Sequence, residues 1–186
     1  MKNEDKIILD LCGGTGSWSR PYKEAGYDVR VITLPECDVR KYEPPENVYG
    51  ILAAPPCTDF ASSGARWFAE KDKDGRTIDS LSILVACLKI IAICQPAFWA
   101  MENPVGRIKR FGMGKPRLIF NPCDYGDSYT KKTLLWGNFN LPEKTPVEPT
   151  EGSKMWRMYG GKSERTKMMR SITPPGFAKA FFEANG

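Results

Sequence analysis

The sequence predicts an α/β fold built on a doubly wound, mostly parallel sheet. Three observations carry that expectation. An apolar run ends in a glycine-rich turn, Ile7-Ile8-Leu9-Asp10-Leu11-Cys12-Gly13-Gly14-Thr15-Gly16. A helical segment and a second β-branched run follow within about thirty residues, which makes a βαβ unit. Further apolar runs near residues 50 and 100 bracket one long apolar helix.

Residues 6–11 read as a buried strand entering a loop. Residues 17–25 read as a helix closed by Gly26. Residues 28–34 form the second strand, with Val29, Val31 and Thr33 alternating against Arg30 and Ile32. Residues 48–53 are a third strand leading into Pro55-Pro56-Cys57, and the charged, glycine-ended residues 71–75 read as an exposed loop. Residues 79–94 are a helix that is apolar around most of its circumference, so it should be buried against the sheet. A strand at 98–101 delivers Glu102, and 118–120 and 133–136 are late strands. Residues 141–161 read as loop, and 177–184 as a terminal helix after Pro174-Pro175-Gly176.

A chain of 186 residues favours one domain with a sizeable core. The net charge of +5, from 27 basic and 22 acidic residues, is compatible with nucleic acid without requiring it. Basic residues gather late: Lys131, Lys132, Lys144, Lys154, Arg157, Lys162, Arg165, Lys167 and Arg170, against Glu143, Glu148, Glu151 and Glu164. With 0 histidines, His-based general bases, Ser-His triads and most zinc chemistry are excluded. The 6 cysteines include no Cys-x-x-Cys pair, which suits a reducing cytoplasm better than a disulfide framework. The N-terminal residues lack the apolar stretch of a signal peptide, and the apolar run 81–93 is too short for a membrane span.

The glycine turn follows a strand and precedes a helix, where backbone amides approach a ligand. It lacks the Gly-Lys-Ser/Thr of a nucleoside triphosphate loop. Cys57 follows two prolines that stiffen its loop at a strand end, where α/β sites form. Only a thiolate is reactive, and an electropositive surround would lower its pKa. Cys12, Cys87 and Cys94 fit small buried hydrophobes. Glu102, in Glu102-Asn103-Pro104, sits where burial would raise a carboxyl pKa.

In this order, the Asp10-to-Gly16 turn, Pro55-Pro56-Cys57 and Glu102-Asn103-Pro104 resemble the cofactor loop, nucleophile loop and acid motif of cytosine-5 DNA methyltransferases, especially small phage-type members. The resemblance runs over nearly the whole chain. It implies the Rossmann-like fold of S-adenosylmethionine-dependent methyltransferases, with S-adenosylmethionine as cofactor and DNA as partner. It places Asp10, Cys12, Gly13, Gly14, Thr15, Gly16, Asp38 and Pro55 around the cofactor. The acid expected after strand two is absent at Thr33 and Leu34, and Glu36 is the nearest replacement. Cys57 becomes the nucleophile and Glu102 the ring-nitrogen acid, with Asn103 orienting the loop and Pro56 beside the base.

Residues 129–134 resemble the family's Gln-x-Arg-x-Arg segment, with Lys132 at the first basic position and Leu134 at the second. Arg66 or Arg107 would then have to compensate for the missing cation. The segment from Ser171 to Gly176 resembles the family's last motif, which packs beside the cofactor turn. The domain expectation is one catalytic domain over 1–186, with residues 137–171 as a short basic region in place of a target-recognition domain. That interval of about 35 residues, with Trp156 and Tyr159, is roughly a third of a small domain. It can grip phosphates and stack a base but offers little surface for reading sequence, which suggests weak specificity, single-strand preference or a separate recognition partner. RNA or a free pyrimidine nucleotide is the alternative substrate, and an inactive nucleic-acid-binding module the alternative to an enzyme.

Overall fold

The computed structural model describes residues 2–153 and 163–186. Its main sheet has six strands: β1 (Ile7–Leu11), β2 (Asp28–Ile32), β3 (Val48–Ala53), β4 (Phe98–Pro104), β5 (Leu118–Phe120) and β7 (Thr133–Asn138). They lie in the order β2-β1-β3-β4-β7-β5. The first four neighbours are parallel, and β7 runs antiparallel to both β4 and β5. This is the expected α/β, doubly wound, mostly parallel, Rossmann-like sheet. A two-residue strand β6 (Tyr129–Thr130) pairs with β8 (Gly152–Ser153) beside it. The chain leaves β1 toward β2 on one side and returns to β3 on the other. The carboxyl ends of β1 and β3 therefore flank a topological switch point, where open α/β sheets bind ligands.

Alternation along each strand divides the core in two. Ile8, Leu52, Phe98, Ala100 and Leu135 face helices α1 (Arg20–Glu24) and α5 (Pro175–Asn185). Leu9, Leu11, Ile51, Ala53, Met101, Leu134 and Trp136 face helix α3 (Arg76–Cys94). On the first face, Phe177 stacks on Phe120 at 4.0 Å and Trp18 meets Phe181 edge-on at 5.5 Å. Such pairs add directional attraction to plain burial.

Four expectations are corrected. Helix α1 begins only at Arg20, because Pro21 sets its first turn and residues 12–19 are turn. Of residues 71–75, Asp72, Lys73 and Asp74 are exposed as expected, but 71–73 close a helix rather than a loop and Lys71 is buried. Lys71 lies in helix α2 (Phe68–Lys73), 5% exposed, because its ammonium finds a carboxylate inside. Helix α3 starts at Arg76 and buries Leu84, Cys87, Ile90 and Ile91, yet leaves Ile78, Val85 and Ile93 exposed. Its 19 residues are long and apolar enough, by length and composition, to cross a membrane; here one face packs on the sheet. Within the loop expected at 141–161, residues 141–151 are loop, 152–153 form β8, and 154–161 lie outside the described residues. So do Trp156 and Tyr159 of the basic region, whose described end is helix α4 (Glu164–Ser171).

Candidate active site

Three adjacent strands bring the three sequence motifs together. Leu11 of β1 pairs with Ala53 of β3, and Ala53 pairs with Met101 of β4. The glycine turn, the Pro55-Pro56-Cys57 loop and Glu102 thus emerge side by side at one sheet edge. The Ala54 N–H donates to Leu11 O at 2.9 Å, tying the first two segments.

The turn is braced from below by Asp10, which is 1% exposed. The Ser19 hydroxyl donates to Asp10 Oδ2 at 2.6 Å, and Oδ1 has no partner among the described residues. Burial pushes the Asp10 carboxyl up to about 6 against that hydrogen bond. A Cβ at Gly13 would lie 2.6 Å from Asp10 Oδ1, so only glycine fits over the carboxylate. Cys12 adopts a left-handed φ of 58° and donates its N–H to Ile32 O at 2.7 Å. Gly14 and Thr15 are exposed at the top of the turn, while Gly16 N–H closes it on Gly13 O at 2.9 Å. Thr173 N–H donates to Ser17 Oγ at 2.9 Å, bringing the segment before α5 against the turn.

After β2, Glu36 is exposed. Asp38 caps a short 3-10 turn, accepting from Arg40 N–H at 3.0 Å and pairing with the Arg40 guanidinium at 2.6 Å. The hydrogen bonds from Arg40 hold its carboxyl down at about 2. Both acids remain beside the turn's strand-two flank, but Asp38 already carries a cation.

The Cys57 loop is held from several sides. Pro55 is buried and its carbonyl accepts from Asn103 Nδ2 at 3.0 Å; Asn103 itself is 0% exposed. Pro56 is exposed and Cys57 is half-buried. Phe60 and Ala61 N–H both donate to Cys57 O, at 2.9 and 2.8 Å. Lys71 Nζ donates to Thr58 O at 2.6 Å and pairs with Asp59 at 3.0 Å; Asp59 also accepts from Ser80 Oγ at 2.6 Å. Gly106 passes so close to Phe60 that a side chain there would strike its carbonyl.

Burial pushes the Cys57 thiol up, and the Glu102 charge pushes it further; Lys131 and Arg170 pull the other way. This corrects the expectation of a thiol lowered by its surroundings: enclosure and a neighbouring acid outweigh two cations. Burial likewise raises the Glu102 carboxyl, opposed by Lys131, in the direction a proton-holding acid needs.

Arg107, expected as a base-holding cation, is 8% exposed and tied down elsewhere. Its Nε donates to Asp59 O at 2.9 Å, and its terminal nitrogens reach Asp72 and Thr77 at 2.9 and 2.7 Å. It braces the Cys57 loop from behind. Arg66 is exposed, its guanidinium 5.1 Å from the Trp67 ring. Lys132 is exposed, while half-buried Lys131 is the cation whose charge acts on both Cys57 and Glu102. Lys131 Nζ donates to Arg170 O at 2.9 Å. The sequence reading missed Lys131 and Arg170 as site residues. Alternation was the available signal for Lys131: stepping back by two from Leu135 through Thr133 reaches the face Glu102 occupies.

No family model matches the chain. It is 29% identical over 205 residues to a protein named "Probable DNA (cytosine-5)-methyltransferase" from Frog virus 3 (isolate Goorha), covering 90% of this chain and 94% of that protein. It is 27% identical over 174 residues to "Type II methyltransferase M.DdeI" of Desulfomicrobium norvegicum (strain DSM 1741 / NCIMB 8310). That alignment covers 69% of this chain and 39% of M.DdeI, so the chain matches well under half of that enzyme. Among solved structures, a chain encoded within an E. coli prophage overlaps 77% of this chain and 52% of its own length, with a TM-score of 0.47 and 16% identity. The two sequence relatives bear out the resemblance to cytosine-5 DNA methyltransferases drawn from the motifs.

Proposed function

We propose that the protein is an S-adenosylmethionine-dependent DNA (cytosine-5) methyltransferase acting through a covalent Cys57 adduct. The observation that carries this reading is the pairing of Leu11, Ala53 and Met101 across β1, β3 and β4, which sets glycine turn, thiol and acid in one row. The name of the Frog virus 3 relative points to the same reaction and substrate, and that of the second to methyl transfer.

The turn fits the cofactor's amino-acid end. Gly13 leaves no side chain over the buried Asp10, and Asp10 Oδ1 has an open acceptor position. Asp10, Cys12, Gly13, Gly14, Thr15, Gly16 and Pro55 form that wall, with Glu36 and Asp38 on the ribose and adenine side. Bound there, S-adenosylmethionine supplies an electrophilic methyl group.

Carbon 5 of cytosine is a poor nucleophile. Cys57 Sγ, as thiolate, adds to carbon 6, and the displaced electron pair makes carbon 5 nucleophilic. Glu102 donates its proton to ring nitrogen 3 as negative charge grows there. Asn103 keeps the two loops in register through Pro55 O. Lys131 and Arg170 stabilise the thiolate, and Arg66, Lys132 and Pro56 border the base. After transfer, the carbon 5 proton passes to water, Cys57 Sγ leaves carbon 6 as thiolate, and the nitrogen 3 proton returns to Glu102, which restores the ring. Unpairing or flipping of the base precedes addition. Residues 1–186 act as one catalytic domain, 137–171 serve in place of a recognition domain, and a separate recognition partner and a cytoplasmic setting belong to the same reading.

The test is intact-protein mass spectrometry after incubation with S-adenosylmethionine and a randomised DNA pool containing 5-fluorocytosine. Fluorine at carbon 5 blocks the final elimination, so the enzyme traps itself as a methylated adduct. The adduct should vanish in Cys57→Ala while cofactor binding persists. Retention of the adduct in that variant sinks the mechanism, and trapping on RNA alone overturns the substrate.

A further inference from the structure

We propose that residues 105–117 form a track for the phosphate backbone of DNA flanking the target base. The proposal rests on the DNA-methyltransferase reading, which it deepens by assigning a substrate contact outside the site and outside the basic region 137–171. The segment is distinctive in charge. Residues 103–123 contain Arg107, Lys109, Arg110, Lys115 and Arg117, and no Asp or Glu. Arg107 is buried, while the other four are exposed. The side chains of Lys109, Arg110 and Lys115 make no hydrogen bond or ion pair among the described residues. Arg117 is exposed, with Nε donating to Phe139 O at 3.0 Å and its guanidinium 5.5 Å from the Phe139 ring. Exposed cations with no acids between them are the electrostatic footprint of a polyanion site.

Geometry joins the segment to the chemistry. It departs from Pro104, two residues beyond Glu102, and returns to the sheet at Leu118. Leu118 pairs with Leu135, which pairs with Glu102, so both ends of the segment sit level with the catalytic edge. Lys109 and Arg110 occupy a 3-10 turn near that edge. Lys115 and Arg117 stand at a cleft of about 440 Å³ whose walls include Leu88, Met113, Trp99 and Trp136 and whose lining holds no acid. The Trp136 indole is fixed by donating Nε1–H to Gly114 O at 3.1 Å, and Trp99 is half-buried. Trp99 and Trp136 lie on the α3 face of the sheet, opposite the face that Glu102 shares with Leu135, so the segment meets the site at its two ends rather than through the cleft. Phosphates flanking the target base would lie on the exposed cations.

The test compares wild type with the triple variant Lys109→Ala/Arg110→Ala/Lys115→Ala, whose side chains support nothing else in the fold. Binding of a duplex of about 25 base pairs is measured across a salt series, at ~0.9 of logarithmic slope per phosphate contact. The variant's slope should be shallower by about 3, with affinity down at least ~10-fold at ~0.1 M salt. A 5-fluorocytosine single strand of about 5 nucleotides, too short to extend along the segment, should trap Cys57 equally in both proteins. An unchanged slope overturns the track. A shallower slope in the variant, with a wild type that never traps 5-fluorocytosine, keeps the track and removes the catalytic reading. Should the triple variant fold poorly by thermal melting, Lys115→Glu alone carries the same comparison, with an unchanged slope again overturning the proposal.

Discussion

Asn103, buried completely, donates its side-chain amide to the carbonyl of Pro55 across 48 residues of chain, at 3.0 Å. This bond fixes the acid-bearing strand end to the loop that presents the thiol. Replacing Asn103 with Ala leaves a buried carbonyl unpaired, a loss of about 1–3 kcal/mol. The 5-fluorocytosine trapping rate should fall at least ~10-fold, since small displacements at a reacting centre are amplified. Cofactor affinity, measured by calorimetry, should change little.

The Cys57 thiol should titrate above an ordinary cysteine, because burial and then the Glu102 charge both favour its protonated form. Alkylation by iodoacetamide followed against pH measures this. Glu102→Gln removes the charge and should shift the profile to lower pH. Lys131→Ala removes an opposing cation and should shift it to higher pH. Profiles that coincide in all three proteins would show that these side chains do not share a site.

Asp10 is held at about 6 by burial, against 3.8 for an ordinary aspartate. The folded state thus binds the proton more tightly than the unfolded one, and stability falls as pH rises from about 4 to about 6. At ~1.4 kcal/mol per unit, this amounts to about 3 kcal/mol. Thermal unfolding of Asp10→Asn should lack that decline, so the variant's advantage over wild type grows across the same window. Parallel curves would mean the carboxyl is not enclosed.

Lys71 and Asp59 form an enclosed ion pair under the Cys57 loop. Removing one member strands a charge, at about 3–5 kcal/mol. Lys71→Met should therefore lower the denaturant midpoint strongly, and adding Asp59→Asn should restore part of the loss. An additive double variant would contradict the coupling.

Much of this arrangement was readable from the chain. Strand β3 and its Pro-Pro-Cys exit, β4 with Glu102, and the turn after β1 follow from β-branched runs meeting glycine and proline. What was not readable depends on partners far away in sequence. Lys71 looked solvated because its carboxylate is Asp59, whose presence under helix α2 no local pattern announces. Arg107 looked available because a free arginine and one tied to Asp59, Asp72 and Thr77 have the same sequence. Helix α3 is apolar all round in composition, yet only one sheet covers it, so Val85 and Ile93 remain outside. The thiol's direction of shift turned on Glu102 and enclosure, quantities that exist only after folding.

The clamps on the Cys57 loop also set an order of events during synthesis. Its contacts come from Lys71, Ser80, Asn103 and Arg107, all made later than the thiol itself. A growing chain that has not yet delivered Arg107 carries Cys57 as an ordinary, unshielded sulfhydryl. Chains fold progressively as they emerge, and contacts of long sequence separation close last. Reactivity toward an oxidant or alkylating agent is therefore a property that changes with chain length, and the finished fold shelters the Cys57 sulfur.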